Sequence, residues 1–266
     1  MSANVIARSP EPVEGRWALK DKRLNPALSI AKRGCKVRKS GVNRSLLKIY
    51  DLLYAKFGSR HWWPGDTKIE IIIGAILTQN TAWVNVEKAI NNLKREKALS
   101  ASRLSDILEK KLARLIRPSG YYNVKASRIK NFLKFLNARY NGSINRMFKT
   151  DLYKLKEELL ALNGIGQETA DSILLYAGNK PIFVIDAYTK RVFSRHGIIS
   201  HDAEYKEIQA LFMNNLPENV RLFNEFHALI VELGKSICKS KKPLCSMCPI
   251  RSIRRKQNAR RSKKTG

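Results

Sequence analysis

From residue 45 onward, apolar residues recur at intervals of three and four positions, and this period restricts the class of fold. Such spacing places apolar side chains on one face of a helix, whereas a half-buried strand alternates apolar and polar residues. The apolar run 181–186 has the length of a strand but is too brief to build a sheet. The sequence predicts an all-α fold of about nine or ten helices. Its clearest helical segments are 46–57, 69–77, 84–93, 129–140, 152–162, 207–216 and 222–234.

Charge divides the chain into a central region and two basic ends. The chain carries 51 Lys and Arg against 22 Asp and Glu, a formal net charge of +29. Such an excess favours nucleic acid as the partner. We expect a basic flexible arm at 1–44, a folded domain at 45–250 that ends in a cysteine-containing loop at 235–250, and a basic tail at 251–266.

The sequence shows no signal for export or for a membrane. Pro10 and Pro12 interrupt an N-terminal segment that has no apolar core. The longest apolar run, 71–77, is far shorter than the roughly 20 residues that span a bilayer. Four cysteines, three of them close together, favour metal ligands over disulfides. We expect a cytoplasmic, nucleoid-associated protein and, since nothing indicates oligomerisation, a monomer.

Residues 162–191, LNGIGQETADSILLYAGNKPIFVIDAYTKR, place a glycine turn between two helical patterns. Glycines allow a tight turn, and the backbone amides that open the next helix form an anion site. An Asn-Gly turn between helices is common, so the turn alone is weak evidence for DNA binding. The residues that it would present to DNA are Asn163, Gly164, Ile165, Gly166, Gln167 and Thr169.

Other segments accompany this turn in a definite order. ILTQNT (76–81) precedes it, GNKPIFVIDAYTKR (178–191) follows it, and a Cys-x6-Cys-x2-Cys pattern lies near the C-terminus. Together these residues resemble the helix-hairpin-helix, Gly/Pro-Asp superfamily of DNA glycosylases, which includes endonuclease III. The resemblance covers most of residues 45–250. It implies two all-α lobes, double-stranded DNA in the groove between them, and a damaged nucleotide flipped into a pocket there.

Asp186 matches the essential aspartate of this superfamily. Taken alone, an aspartate before AYTKR is most simply a helix N-cap, and the two roles are compatible. The resemblance implies that the carboxylate lies near the hairpin. There it stabilises the positive charge that develops on the sugar as the glycosidic bond breaks, or activates the attacking water.

Glu168 stands where strand-cleaving, endonuclease III-like enzymes carry a lysine, in a pattern G-x-G-x-Lys-T-A. The amine of that lysine attacks the sugar and forms a Schiff base. The pattern here is G-I-G-Q-E-T-A, and a carboxylate cannot form an imine. The sequence therefore favours a monofunctional glycosylase that uses water, with Lys180 and Lys190 as less favoured substitutes for the amine.

Aromatic residues indicate which base is removed. HWWPGD (61–66), the tryptophan after ILTQNT, and RPSGYYNVKASRI (117–129) resemble the type III 3-methyladenine glycosylase branch. The resemblance implies a flipped base sandwiched between two rings, and an alkylated, cationic purine stacks well between such faces. Core packing is the alternative for either ring. The implied base-pocket residues are Trp62, Trp63, Pro64 and Trp83.

Polar residues after the second predicted helix have two interpretations. Gln79 and Asn80 fall where family members fill the gap left by the flipped base and bond the orphaned partner, but a helix C-terminal cap is equally consistent. A family loop near the DNA is matched by Tyr121, Tyr122, Asn123 and Lys125.

The cysteines match a cluster motif that lacks one member. Cys238, Cys245 and Cys248 correspond to three ligands of the superfamily's [4Fe–4S] cluster, but Arg254 stands where the fourth cysteine is expected. Three interpretations remain open. Cys35 substitutes as a ligand; three thiolates hold iron–sulfur or zinc with a histidine or solvent ligand; or the loop folds without metal.

The sequence therefore predicts a base-excision DNA N-glycosylase that hydrolyses the glycosidic bond of a flipped, alkylated purine such as 3-methyladenine. One alternative is an endonuclease III-like glycosylase with lyase activity on oxidised pyrimidines. An alternative of another class is a DNA-binding protein without catalytic activity.

Overall fold

The computed structural model describes residues 41–60 and 65–253. These residues contain twelve α-helices and no strand. The helices are α1 Gly41–Phe57, α2 Lys68–Leu77, α3 Trp83–Arg95, α4 Ala101–Asp106, α5 Glu109–Leu115, α6 Tyr122–Tyr140, α7 Ile144–Met147, α8 Leu152–Leu160, α9 Gln167–Ser172, α10 Ala187–Arg195, α11 Tyr205–Met213 and α12 Val220–Ser236.

The described residues confirm the all-α prediction but contain more helices than expected. Helices α4, α7 and α9 have 6, 4 and 6 residues, and so few turns show no clear period in a sequence. Helix α9 continues directly into a π-helical turn at Ile173–Ala177. Residues 181–186 have no regular secondary structure, so the apolar run there is a buried connection and not a strand.

Polar side chains fix where several helices begin. Thr67 caps α2, Ser100 caps α4 and Asn219 caps α12, each by accepting a hydrogen bond from a backbone amide of the first turn. Loss of such a cap costs about 1 kcal/mol. Asp186 caps α10 in the same way, which confirms the N-cap interpretation of that residue.

The helices pack as two lobes. In the first lobe, α2 packs against α3, α6 and α9, and α6 packs against α4, α5 and α7. The second lobe brings distant parts of the chain together, because α1 and α10 both pack against α12. The Tyr50 ring of α1 meets the Phe226 ring of α12 edge-on, with centroids 5.5 Å apart. The predicted two-lobed fold is confirmed.

A buried carboxylate on α9 connects it to its neighbours. Asp171 binds Lys156 of α8 at 2.9 Å. The Tyr205 hydroxyl and the Gln209 amide, both on α11, donate to the same carboxylate at 2.7 Å each. Burial raises the pKa of the Asp171 carboxyl, and a buried charge without partners is costly. These contacts therefore hold α9, which follows the hairpin, in a fixed orientation.

The first helix begins inside the predicted arm. Helix α1 starts at Gly41, so the folded part extends into the segment 1–44. The remainder of the arm, with Cys35, and the tail from Arg254 onward lie outside the described residues. Within the described ranges, no helix is long and apolar enough to cross a membrane.

Candidate active site

A groove with a volume of about 1010 Å³ is lined by both lobes. The first lobe contributes the α2–α3 loop and the α8–α9 hairpin, and the second contributes side chains of α10 and α12. Sequence segments far apart in the chain therefore meet around one concave site. The predicted residues that line it are Gln79, Asn80, Trp83, Asn163, Gly164, Ile165, Gly166, Glu168, Thr169 and Asp186.

Three predicted base-pocket residues cannot be compared with the groove, and one predicted DNA contact does not line it. Trp62, Trp63 and Pro64 lie outside the described residues. Gln167 is not part of the groove lining, and its side-chain Oε1 is buried. Trp83 is half-buried at the start of α3, where its Nε1 donates to Glu87 Oε1 at 2.7 Å. Trp83, one of the two rings proposed to stack on the flipped base, therefore lies at the groove.

The two hairpin glycines differ in what the backbone requires. Gly164 has φ +89°, a conformation that residues with a Cβ rarely adopt. A Cβ there would lie 2.4 Å from Cγ of Arg128. Gly166 has φ −89° and ψ 179°, and a Cβ there would meet nothing within 4 Å. The turn therefore requires glycine at position 164, whereas a side chain at position 166 would extend into open space.

Alanine at Gly164 is expected to destabilise the protein, and alanine at Gly166 to stabilise it slightly. Backbone strain at the first position costs about 1–3 kcal/mol, and Arg128 would have to move. At the second position, alanine restricts the unfolded chain and adds about 0.4–1 kcal/mol. Urea denaturation followed by circular dichroism measures both free energies of unfolding. Equal stability of the two variants would contradict this account.

Gln79 connects the α2–α3 loop to the hairpin. Its Nε2 donates to the backbone oxygen of Gly164 and to Thr169 Oγ1, both at 2.9 Å. Arg128 of α6 donates to Oε1 of the same side chain. The C-cap of α2 is Thr78, so the cap interpretation of Gln79 is wrong. The sequence analysis included Arg128 within the segment 117–129 but gave it no role, since the spacing does not link α6 to the hairpin.

A buried lysine supports the α2–α3 loop from behind. Nζ of Lys125 donates to Leu77 O at 2.8 Å, Thr81 Oγ1 at 2.6 Å and Ser119 O at 2.7 Å. Burial, aided by the charge of Arg128, lowers the pKa of Lys125 to about 8. The three N–H groups of the ammonium are used inside the protein. This residue therefore supports the groove wall from inside and is buried, not exposed as a predicted loop contact to DNA would be.

Asp186 is held at the groove by a hydrogen bond to one carboxylate oxygen and lies close to a histidine at the other. Its Oδ1 accepts a hydrogen bond from the Thr189 amide at 2.7 Å, and its Oδ2 lies 3.6 Å from Nε2 of His227. Burial opposes ionisation of this carboxyl. The neighbouring His227 imidazole and the hydrogen bond from the Thr189 amide outweigh burial and lower the pKa of Asp186 below its ordinary value. The groove therefore contains a fixed, ionised carboxylate.

His227 and Tyr176 complete the support of this carboxylate. The Tyr176 hydroxyl lies 2.6 Å from His227 Nδ1, and both side chains are buried. When the hydroxyl donates to Nδ1, the imidazole proton is on Nε2 and faces Asp186. Sequence reasoning missed both residues. The one signal was a histidine within the apolar segment 222–234, a position more typical of a core residue.

Glu168 lies in the first turn of α9 and is exposed to the groove. Loss of solvation between the groove walls, followed by the negative charge of Asp186, raises the pKa of Glu168 to about 7. Because its surface is accessible, this shift reflects a narrow groove and not burial inside the core. Near neutral pH, the residue is therefore present in both charged and neutral forms.

The three clustered cysteines line a second cavity of about 260 Å³. Cys238 is buried, Cys245 is exposed and Cys248 is intermediate. In the part of the chain that the structure describes, no three His, Cys, Asp or Glu side chains are gathered to hold one metal ion. A single zinc ion needs donors within about 2.0–2.3 Å of one point. The three thiols therefore line one cavity without being gathered at one point.

The fold and the groove together are those of a DNA repair glycosylase. Residues 73–218 match the family model described as HhH-GPD superfamily base excision DNA repair protein. The chain belongs to this superfamily, and the resemblance drawn from the sequence is confirmed.

Relatives and solved structures agree with this assignment. A putative DNA repair glycosylase of Methanocaldococcus jannaschii is 51% identical over 210 residues, 78% of this chain and 94% of that protein. The structure of H. pylori 3-methyladenine DNA glycosylase bound to 1,N6-ethenoadenine is 31% identical, with a TM-score of 0.62, and covers 73% of this chain and 97% of that one. The structure of an endonuclease III–DNA complex is 24% identical, with a TM-score of 0.70, and shares the fold. The match covers 80% of this chain and 95% of that one.

Proposed function

We propose that this DNA glycosylase is monofunctional and removes alkylated purines such as 3-methyladenine from double-stranded DNA, leaving an abasic site. The observation that carries the proposal is the pair of carboxylates in the groove, Asp186 and Glu168. A carboxylate in place of the lysine of strand-cleaving relatives favours water as the nucleophile. In this proposal the protein acts as a monomer on the nucleoid in the cytoplasm.

Asp186 supplies the electrostatic part of the reaction. As the bond between the sugar and the base lengthens, positive charge develops on the sugar. A carboxylate already fixed by Thr189 and His227 stabilises this charge without reorganising. The same carboxylate accepts a proton from water. The water oxygen then bonds to C1′, and the base departs with the electron pair of the broken bond.

The groove favours a cationic base. Trp83 lines it, and aromatic faces attract cations. A methylated purine carries positive charge and leaves as a neutral molecule, so its departure needs no general acid. The 31% identity to a 3-methyladenine DNA glycosylase over 73% of the chain supports the same class of substrate.

A panel of lesion duplexes tests the proposal directly. Duplexes carrying methylated purines, thymine glycol or uracil are incubated with the full-length protein and then analysed with and without alkali. We expect release of methylated purines and strand breaks that appear only after alkali. Preferential release of thymine glycol with cleavage before alkali would support the lyase alternative and overturn the proposal.

One lysine at the groove makes the lyase alternative testable at a named residue. Lys235 of α12 lines the groove, whereas Lys180 donates to Thr150 O at 2.7 Å and does not line it. Borohydride reduction traps an imine between an amine and abasic DNA. We expect no trapped adduct with the wild-type protein. An adduct that disappears in Lys235→Gln would overturn the monofunctional assignment.

The pH dependence of excision distinguishes a cationic from a neutral base. Because Glu168 has a pKa raised to about 7, it becomes negative as pH rises through that value. A cationic base needs no acid, and a negative Glu168 stabilises the positive charge that moves to the sugar. The rate is therefore expected to rise about fivefold, the effect of roughly 1 kcal/mol between charges in water. Single-turnover rates from pH 6 to 8 (about one unit on either side of that pKa) measure this, and Glu168→Gln should give a flat profile. A rate that falls with pH would indicate a protonated Glu168 acting as acid on a neutral base.

A further inference from the structure

The groove has to hold a polyanion although two carboxylates line it. Among the described residues of the lining, Glu168 and Asp186 are acidic, and the lysine and arginine side chains are Arg128 and Lys235. DNA carries a negative charge on every phosphate, so the two carboxylates repel the backbone of the bound duplex. Each lobe contributes one cation, Arg128 from α6 and Lys235 from α12. Positive charge on the lining offsets this repulsion.

The side chain of Arg128 lies directly on the hairpin. A Cβ at Gly164 would come within 2.4 Å of Arg128 Cγ, 2.6 Å of Cδ and 2.5 Å of Nε. These three atoms therefore pack on the backbone of the glycine, and the side chain is half-buried there. Because the stem follows the turn, the guanidinium stays beside the part of the hairpin that lines the groove.

Gln79 orients this guanidinium. Arg128 Nη1 donates to Gln79 Oε1, while Gln79 Nε2 donates to Gly164 O and to Thr169 Oγ1, both at 2.9 Å. The amide is therefore fixed to the hairpin at one end and to the arginine at the other. A guanidinium has five N–H groups, and Gln79 is its one hydrogen-bond partner in the part of the chain that the structure describes. Donors on the guanidinium thus remain for a ligand.

No carboxylate of the described residues forms an ion pair with Arg128. Its neighbour on α6, Lys125, donates to three oxygens that are all uncharged. Burial, and then the charge of Arg128, lowers the pKa of Lys125 to about 8, which shows that the two cations repel each other. An anion bound at the guanidinium would stabilise both charges. This part of the groove therefore favours an anionic ligand.

From this geometry we propose that Arg128 binds a phosphate of the DNA backbone beside the hairpin, and that Gln79 is the residue that positions its guanidinium. A guanidinium forms paired hydrogen bonds to phosphate oxygens, and the phosphate supplies the counter-ion that the protein lacks at this point. Such a contact fixes the register of the duplex in the groove without reading a base. The assignment rests on DNA binding and holds whichever base the enzyme removes.

Binding to a duplex with a tetrahydrofuran abasic-site analogue tests this contact without base excision. Fluorescence anisotropy at several salt concentrations measures the affinity of the full-length protein. In Arg128→Met, which keeps an unbranched stem over Gly164, we expect affinity to fall about tenfold or more. The slope of log affinity against log salt should decrease by about 0.9. Arg103→Met, a matched control at an exposed arginine outside the groove lining, should bind as wild type does. Unchanged affinity and slope in Arg128→Met would overturn the proposal.

Neutral methylphosphonate linkages, placed one at a time along each strand of the same duplex, locate the phosphate. At the contacted position the neutral linkage should weaken wild-type binding but have little effect on Arg128→Met, because that variant has already lost the contact. A loss in Arg128→Met that depends on the base opposite the analogue would indicate base reading and contradict the proposal.

Arg128→Lys keeps the proposal testable if Arg128→Met does not fold. Lysine keeps the positive charge but lacks the planar fork of the guanidinium. We expect Arg128→Lys to retain the wild-type salt slope and the same sensitive linkage while it binds more weakly. Wild-type affinity in Arg128→Lys would show that no paired guanidinium contact to phosphate is made.

Discussion

Exchange of Asp186 for asparagine is expected to slow base excision by about 10²–10³-fold, the usual loss when one preorganised electrostatic group is removed. Asparagine keeps the size of the side chain and an oxygen that accepts from the Thr189 amide at 2.7 Å in the native protein. It also caps helices as well as aspartate does. Only the negative charge is lost. The rate should therefore fall while the free energy of unfolding and the affinity for DNA change little.

Single-turnover kinetics on a methylated-purine duplex, with enzyme in excess, measures the chemical step in this variant. Asp202→Asn is the matched control, because Asp202 is exposed and is not part of the groove lining. We expect the control to retain the wild-type rate. A wild-type rate in Asp186→Asn, with native stability, would show that this carboxylate does not act in the reaction.

The sequence predicted best those parts of the site that lie in one segment. The hairpin glycines and Asp186 were identified from residues 162–191, and the structure brings both to the groove. The backbone conformation of Asp186 explains why this residue both caps α10 and faces the groove. Its backbone is extended, with φ −118° and ψ 179°, so one carboxylate oxygen meets the first turn of α10 while the other faces His227.

Contacts between elements far apart in sequence could not be predicted. Apolar periodicity shows which face of a helix is buried but not which element covers it. His227 was therefore hidden in an apolar segment, although α12 brings it beside Asp186. Arg128 and Lys125 lie close together on α6, yet one bonds Gln79 while the other is buried beneath the same loop. Their different roles depend on how α6 packs against α2.

The surroundings of the cysteine loop illustrate the same limit. A sequence pattern detects a missing cysteine at a fixed spacing, and it detected one at Arg254. His196 lies more than forty positions before the first cysteine of the loop, Cys238 (about 42 residues, too far for a spacing motif). The packing of α10 against α12 brings it to the thiols, where its Nε2 lies 3.6 Å from Cys248 Sγ. The sequence therefore could not name this histidine as a neighbour of the cysteines.

Replacement of Glu168 by lysine is expected to create a covalent intermediate that the wild-type protein does not form. Position 168 lies at the groove, close enough to Asp186 for its charge to affect the Glu168 pKa. Between the groove walls, loss of solvation favours the neutral amine, which is the nucleophilic form. That amine would bond to C1′ of the sugar as the base leaves with the electron pair of its bond, and the bond from C1′ to the ring oxygen would then open to give an imine. The resulting imine is reduced by borohydride to a stable protein–DNA adduct.

Gel electrophoresis after borohydride treatment measures this change, and Glu168→Gln is the matched control because it alters the same position without adding an amine. We expect an adduct of reduced mobility with Glu168→Lys, and none with Glu168→Gln or wild type. Strand cleavage without alkali should accompany the adduct. If Glu168→Lys folds and binds DNA but traps nothing, position 168 does not face the sugar, and the subclass must be argued from other groove residues. If the wild type is trapped as strongly as the variant, the native protein already has an amine at the sugar, and Lys235 of the groove lining is the residue to replace next.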